Sequence, residues 1–374
     1  MFRRVQLLVA LVAIIAFAIP ASAQVEAVGG VFESGLIPHV DTLAKAVANE
    51  TTTMTIRFTD ADMRIERIGG SMSRWQGVIV EDGNVLGEAE FFTHNGRFGG
   101  GYITTPVGYT QVYPNGGVRF APQGAFRDAI VPGGLVDKVR AAEAALAEAV
   151  STTGPVTLEI GIFYSKCAAT EAGGAQAVQD MIASAGTFLD GAFRDSGIDR
   201  VSFKIVGGTQ IAFDENGKAK ASYFSHFTKK FRDLRKKVKA DLMIAVVCNP
   251  GDGLAGFANQ YDGDSRYAYG VVSVDFFEFA LLHEAGHLLG AYHEYTYLNC
   301  LPGLDESDFG KEFYTVMNSV GVLKLPSDCW PMGLLRFSNT KVKVEGFLAG
   351  TATYNNANRT NKNINTVSGW SGKL

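Results

Sequence analysis

The chain has 374 residues, 47% hydrophobic and 19% charged, with a net charge of −4. That is the composition of a globular protein, and the length suits two domains. A weakly acidic balance offers no electrostatic footprint for nucleic acid, so that class of partner is excluded from the outset.

The chain begins with a targeting segment. Arg3 and Arg4 precede an apolar run from Leu7 to Ile19, and Ala21-Ser22-Ala23 supplies a small-x-small cleavage site. The run is short for a bilayer span and ends in a processing site, so residues 1–23 read as a secretory signal peptide. The mature protein is then expected to be secreted or periplasmic, with no membrane partner once the signal is removed.

Residues 24–150 are expected to form a β-rich N-terminal domain. Thr53–Phe58, Trp75–Glu81, Gly87–Thr93 and Phe98–Thr105 are short alternating or apolar runs bounded by Asp-Gly, Asn-Gly and Gly-Gly turns, the pattern of antiparallel hairpins. The histidines of this region, His39 and His94, read as surface or loop residues. Val136–Val150 is a strong helix former, and Ser151-Thr152-Thr153-Gly154-Pro155 breaks it. An exposed junction of that composition also suits cleavage of a precursor, which makes the N-terminal domain an expected inhibitory and chaperoning propeptide. A substrate-binding module is the alternative.

From Val156 the pattern changes to strands alternating with helices. Thr157–Tyr164 and Val201–Val206 read as strands, Gly174–Arg194 as a long helix, and Tyr223–Val238 as an amphipathic helix. The basic run Lys229–Lys239 in that second helix reads as its solvated face, with Phe231, Leu234 and Val238 inward. Asp241–Cys248 is a continuous apolar run, typical of a central parallel strand covered on both faces. Ala255–Gln260 and Tyr269–Val274 follow.

Phe276–Glu294 then reads FFEFALLHEAGHLLGAYHE. It carries His283, Glu284, His287, Gly290 and His293 in the order H-E-x-x-H-x-x-G-x-x-H. His283 and His287 are four apart, so on a helix they project from one face and can reach one metal ion. Glu284 stands where a carboxylate can take a proton from metal-bound water. Gly290 permits the sharp turn that returns His293 as a third ligand. A bare H-E-x-x-H also arises by chance on ordinary helices; the added glycine and histidine make the pattern specific. Three imidazoles on one zinc ion leave a fourth position open, as in catalytic sites. Asp275 and Glu278 have the spacing of a capping box for this helix.

All four cysteines, Cys167, Cys248, Cys300 and Cys329, fall in the second part of the chain. For an exported protein two disulfides are the default. Three pairings are possible; Cys167–Cys248, tying the ends of two strands, and Cys300–Cys329 are favoured.

On the run HEAGHLLGAYH, the later Val316-Met317-Asn318 and Arg336-Phe337-Ser338-Asn339, residues 151–374 resemble the metzincin zinc endopeptidases. Within them they are similar to the reprolysin-like (adamalysin) group and to bacterial peptidyl-Asp metallopeptidases. The resemblance implies a zincin-type α/β (α+β) catalytic domain with a mixed, mostly parallel sheet and an active-site helix. It also implies a Met-turn at Met317 beneath the metal, an edge strand at Ala255–Gln260 along which substrate binds, and one catalytic zinc ion. Two positions depart from the pattern. Glu294 follows the third histidine as in astacins, where the reprolysin group has Asp, and Ser319 stands where astacins have a tyrosine. A cysteine switch is impossible, since no cysteine precedes Cys167.

The expected activity is peptide-bond hydrolysis assisted by Glu284, acting on protein or peptide substrates as a monomer. Two other classes share the sequence features: a zinc hydrolase of cell-wall peptide amides, and a binding protein on a protease scaffold. An intact Glu284 argues against the second.

Overall fold

The computed structural model describes residues 34–36, 40–57, 62–81, 84–105, 108–122, 154–212, 215, 231–251, 254–261, 263–294, 313–318, 332–344 and 346–373. The expected signal segment, His39, residues 223–230 of the expected amphipathic helix, the helix expected over Val136–Val150, the breaker residues 151–153, Ser319 and the pair Cys300–Cys329 lie outside them.

The N-terminal region comprises β1 (Ser34–Leu36), α1 (Val40–Ala48), β2 (Thr53–Arg57), β3 (Asp62–Ser71), β4 (Arg74–Glu81), β5 (Asn84–His94), β6 (Arg97–Thr105), β7 (Gly108–Val112) and β8 (Gly117–Pro122). The strands form one antiparallel sheet in the order β1-β8-β7-β6-β5-β4-β3-β2. The four strands expected here are present, and β1, β3, β7, β8 and α1 add to them. Each strand alternates, so the sheet has two inward faces. On one face Trp75, Phe91, Ile103 and Val112 pack with Leu43 and Val47 of α1. On the other, Phe92, Tyr102, Tyr109 and Tyr113 join the core of the rest of the protein. β7 escaped the hydrophobic pattern because Tyr109 and Gln111 on that second face carry polar groups, although both are buried.

The second region comprises β9 (Val156–Tyr164), α2 (Lys166–Glu171), α3 (Ala175–Asp195), β10 (Val201–Gln210), a helix over 231–238 called α4, β11 (Leu242–Val247), β12 (Gly256–Ala258), β13 (Tyr269–Ser273) and α5 (Phe277–Leu288). After α5 come the short strands β14 (Phe313–Thr315), β15 (Met332–Leu334), β16 (Lys343–Val344) and β17 (Phe347–Leu348), then α6 (Asn356–Val367). The five-stranded sheet runs β10-β9-β11-β13-β12, with the first four parallel and β12 antiparallel at the edge. The chain is therefore a mixed α/β protein with a mostly parallel sheet and a β-rich N-terminal region.

β11 shows why its sequence reads as one apolar run. Leu242, Ile244 and Val246 face the core that holds α3 and α5. Met243, Ala245 and Val247 face the opposite cluster with Phe231 of α4. α4 turns Phe231, Leu234 and Val238 inward as its pattern predicts. Arg235 departs from the solvated-face reading. It is fully buried, and its guanidinium donates to the carbonyls of Ala240 (2.9 Å), Asp241 (2.7 Å) and Ser265. Two carbonyls before β11 and one from the segment between β12 and β13 give the fork its partners, which makes burial tolerable.

Charged groups cross between the two regions. Arg74 Nη2 lies 2.6 Å from both Glu90 and Asp195, and Arg336 donates to Glu88 at 2.7 Å. Burial disfavours the Arg74 charge, but Glu90 and Asp195 outweigh it and hold the guanidinium ionised. A disulfide joins Cys167 of α2 to Cys248 at the end of β11, one of the two expected pairs.

α6 is an element the sequence pattern did not announce. Its sequence, NANRTNKNINTV, is mostly polar, and asparagine is a weak helix former. The sign was there in Ala357, Thr360, Ile364 and Val367, buried at three- and four-residue spacing.

Candidate metal centre

α5 is buried along its whole length, which fixes its side chains by packing. Its N-terminal end corrects the expected capping box. Ser273 Oγ accepts from the Asp275 amide at 3.3 Å and caps a single 3₁₀ turn over Val274–Phe276, and Phe276 then precedes the helix with no side-chain acceptor. The acceptor comes from the other sheet: Gln111 Oε1 takes the Phe277 amide at 3.1 Å. Asp275 instead accepts from the Tyr113 hydroxyl at 2.7 Å, and Glu278 from the Tyr109 hydroxyl at 3.2 Å. Tertiary partners thus displace the local cap, because the N-terminal sheet covers the end of the helix. Burial raises the Glu278 carboxyl to about 8, with the hydrogen bonds from Gln111 and Tyr109 opposing it.

The other end of α5 gathers the three histidines that the spacing predicted. His283 and His287 share one face, and Gly290, at φ +98°, turns the chain so that His293 returns beside them. The Nε2 atoms lie 3.1 Å (His283–His287), 3.2 Å (His283–His293) and 3.0 Å (His287–His293) apart. The other ring nitrogens have backbone acceptors: His283 Nδ1 lies 2.6 Å from the Val316 carbonyl and His287 Nδ1 3.0 Å from that of Ala291. A carbonyl only accepts, so these bonds put the protons on Nδ1 and leave the Nε2 lone pairs facing one another.

Two inward lone pairs and the third ring nitrogen converge on one point, where a cation would meet all three. Tetrahedral zinc with bonds of about 2.0–2.1 Å sets its ligand nitrogens about 3.3 Å apart, close to what the rings show. The donor set and spacing therefore fit a metal ion, and the three residues could hold one. Cys167, Glu215 and Cys248 also lie together, but the disulfide consumes both thiols.

Glu284, one residue after His283, is 1% exposed and packs against the edge strand β12. A methyl group on Gly256 would stand 2.6 Å from Glu284 Oε1, so glycine is required there for the carboxylate to fit. Beneath the helix, Met317 is fully buried, and a methyl group on Gly286 would lie 2.9 Å from its sulfur and 2.7 Å from the Phe337 ring. Gly256 and Gly286 are part of the site, and nothing in the histidine spacing marks them.

Glu294 is also fully buried. It accepts from Thr315 Oγ1 (2.6 Å), Asn356 Nδ2 (2.6 Å) and the Ser338 hydroxyl, while its amide donates to the Met317 carbonyl at 2.9 Å. Burial raises its carboxyl above the usual range, against those hydrogen bonds. The residue that departs from the reprolysin pattern thus joins the third-histidine loop to the Met317 turn and to α6.

The fold and the site together define a mixed α/β protein with a candidate three-histidine metal centre on a buried helix. No family model matches the chain, and no curated protein matches it. Among solved structures, 67 chains match. One is "Structure of a chaperone-substrate complex", with TM-score 0.44 and 13% identity over 79% of this chain; the match spans 39% of that chain. Another is metalloproteinase-II from Bacteroides fragilis, with TM-score 0.37 and 12% identity over 78% of this chain and 93% of that one. Likenesses at that level carry no argument about chemistry, which rests on the side chains above. No described helix is long and apolar enough to cross a membrane.

Proposed function

We propose that the protein is a secreted zinc-dependent endopeptidase of the metzincin type, with His283, His287 and His293 as metal ligands and Glu284 as the proton-transfer residue. The observation that carries this reading is the triangle of Nε2 atoms with backbone carbonyls behind two of the rings and a buried carboxylate beside them. Zinc bound there supplies an acidified water and polarises the substrate carbonyl. Glu284 takes the proton of the attacking water and delivers it to the amine nitrogen as the peptide C–N bond breaks. β12, at the sheet edge and against Glu284, offers backbone groups to an extended protein or peptide substrate. Residues 1–23 act as the export signal, 24–150 as a prosegment and 151–374 as the protease domain, working as a monomer.

The test is hydrolysis of quenched casein by secreted protein, with and without a zinc chelator, beside Glu284→Gln. Activity lost on chelation and in the variant, with zinc still bound to the variant, supports the reading. A wild type that binds zinc but cleaves nothing, even after removal of residues 24–150, overturns it. N-terminal sequencing of the mature secreted protein tests the prosegment, which requires a start near Ser151.

A further inference from the structure

We infer that α6 is a clasp for the third histidine, and that Asn356 is the positioning residue that sets His293 against the other two. The inference rests on the three-histidine reading of the site and adds to it a part of the chain more than 60 residues away.

His283 and His287 are fixed by one helix. His293 stands beyond the glycine turn, and nothing in the period of α5 fixes its position. Asn356, the first residue of α6, is fully buried, and its amide meets the Tyr292 backbone before His293 and the Glu294 side chain after it. The Tyr292 amide donates to Asn356 Oδ1 at 2.9 Å, and Asn356 Nδ2 donates to the Tyr292 carbonyl at 2.9 Å and to Glu294 Oε1 at 2.6 Å. Arg359 donates to the same Oδ1 at 3.2 Å while its guanidinium lies 5.3 Å from the centre of the Tyr292 ring. All four hydrogen-bonding positions of the amide are thereby used, two as donor and two as acceptor. Two turns along the helix, Asn363 donates to the Leu289 carbonyl at 2.9 Å and occupies the space beside Gly290, where a methyl group would lie 2.3 Å from its Nδ2. The loop from Leu289 to Glu294 is thus gripped at both ends by asparagines of one helix.

The chemistry of the grip is specific. Aspartate has the shape of asparagine but only accepts, so at 356 it would lose both donated bonds and set a carboxylate against that of Glu294. A leucine would abandon the Tyr292 backbone groups in a dry site. Only an amide satisfies a backbone N–H, a backbone carbonyl and a carboxylate together. Because the contacts straddle His293, their loss is expected to move that ligand and leave His283 and His287 in place.

The experiment is a metal-affinity cycle on the full chain, with the dissociation constant read for Zn²⁺ and Co²⁺ by competition with a chelating dye and the cobalt visible spectrum recorded alongside. Asn356→Asp is expected to weaken metal binding about 10–100-fold, as for other groups that orient a metal ligand, and to alter the cobalt spectrum. In a His293→Ala background the same substitution should add nothing, whereas in a His283→Ala background it should still weaken binding. Asn361→Ala, which removes one side-chain bond between α6 and Arg200 away from the loop, should leave metal affinity unchanged. If Asn356→Asp does not fold, Asn363→Ala, which removes only the bond to Leu289, serves in the same cycle. An equal effect in both histidine backgrounds, or none in the wild type, overturns the clasp while leaving the metal site standing. A wild type that binds neither ion overturns the three-histidine reading and the clasp with it.

Discussion

The two ends of α5 are held by opposite kinds of partner. At its start, two acidic groups, Glu278 buried and Asp275 half-buried, accept from tyrosine hydroxyls of the N-terminal sheet, and Gln111 of that sheet takes the first helical amide. At its finish, basic rings are buried: His283 and His287 donate to carbonyls of the chain that follows, and Nε2 atoms converge. The first end is held by residues far earlier in the chain, and the second by residues later in it. The two ends of one helix thus answer to different parts of the chain.

The largest effect is expected at the histidine end. Glu284→Gln is expected to lower kcat by about 10²–10⁴-fold with zinc content unchanged by metal analysis. An unaffected kcat would remove Glu284 from the chemistry.

At the other end the effect is on stability and follows pH. With the Glu278 carboxyl at about 8 in the folded protein and 4.5 as its ordinary value, the unfolded chain releases the proton first. Stability from this group is therefore complete below about pH 4.5, falls as pH rises toward 8, and is level above that. The loss is at most about 5 kcal/mol. Urea unfolding of Glu278→Gln across this range should lack the slope; the same slope in variant and wild type would assign it elsewhere.

Next comes the joint between the N-terminal sheet and the rest. Arg74→Met leaves Glu90 and Asp195 without their shared cation and is expected to cost about 3–5 kcal/mol in urea unfolding. A change under 1 kcal/mol would mean that the buried pair is no anchor. Replacing Cys167 and Cys248 with serine opens a link across 81 residues and should cost about 2–4 kcal/mol in urea unfolding, with kcat unchanged because Cys248 lies beside Ser273, before the start of α5. The smallest effect belongs to Tyr113→Phe, about 1 kcal/mol for one hydrogen bond to Asp275, read by thermal unfolding.

What could be read in advance follows from the reach of each interaction. Histidines four apart meet on any helix, so the pattern His283-Glu284-x-x-His287 predicts its own geometry, and Gly290 predicts its own turn. The same logic failed at Asp275 and Glu278. Their three-residue spacing fits a capping box, but a tyrosine pair from 160 residues earlier took both side chains. It failed too for Arg235, whose neighbours in sequence suggest solvent and whose neighbours in space are three carbonyls.

By itself, then, the sequence determined the parallel strands with apolar residues on both faces, the β-rich start and the gathering of three histidines, and it left Cys167–Cys248 as a favoured choice among three pairings. These depend on period, local spacing and the few ways of pairing four thiols. The tertiary structure alone decided that Gly256 makes room for Glu284, that Glu294 joins the third-histidine loop to the Met317 turn and to α6, and that Asn356 meets the chain on both sides of His293. Contacts between residues tens of positions apart leave no period in the chain, because each partner is chosen by packing after the elements have formed.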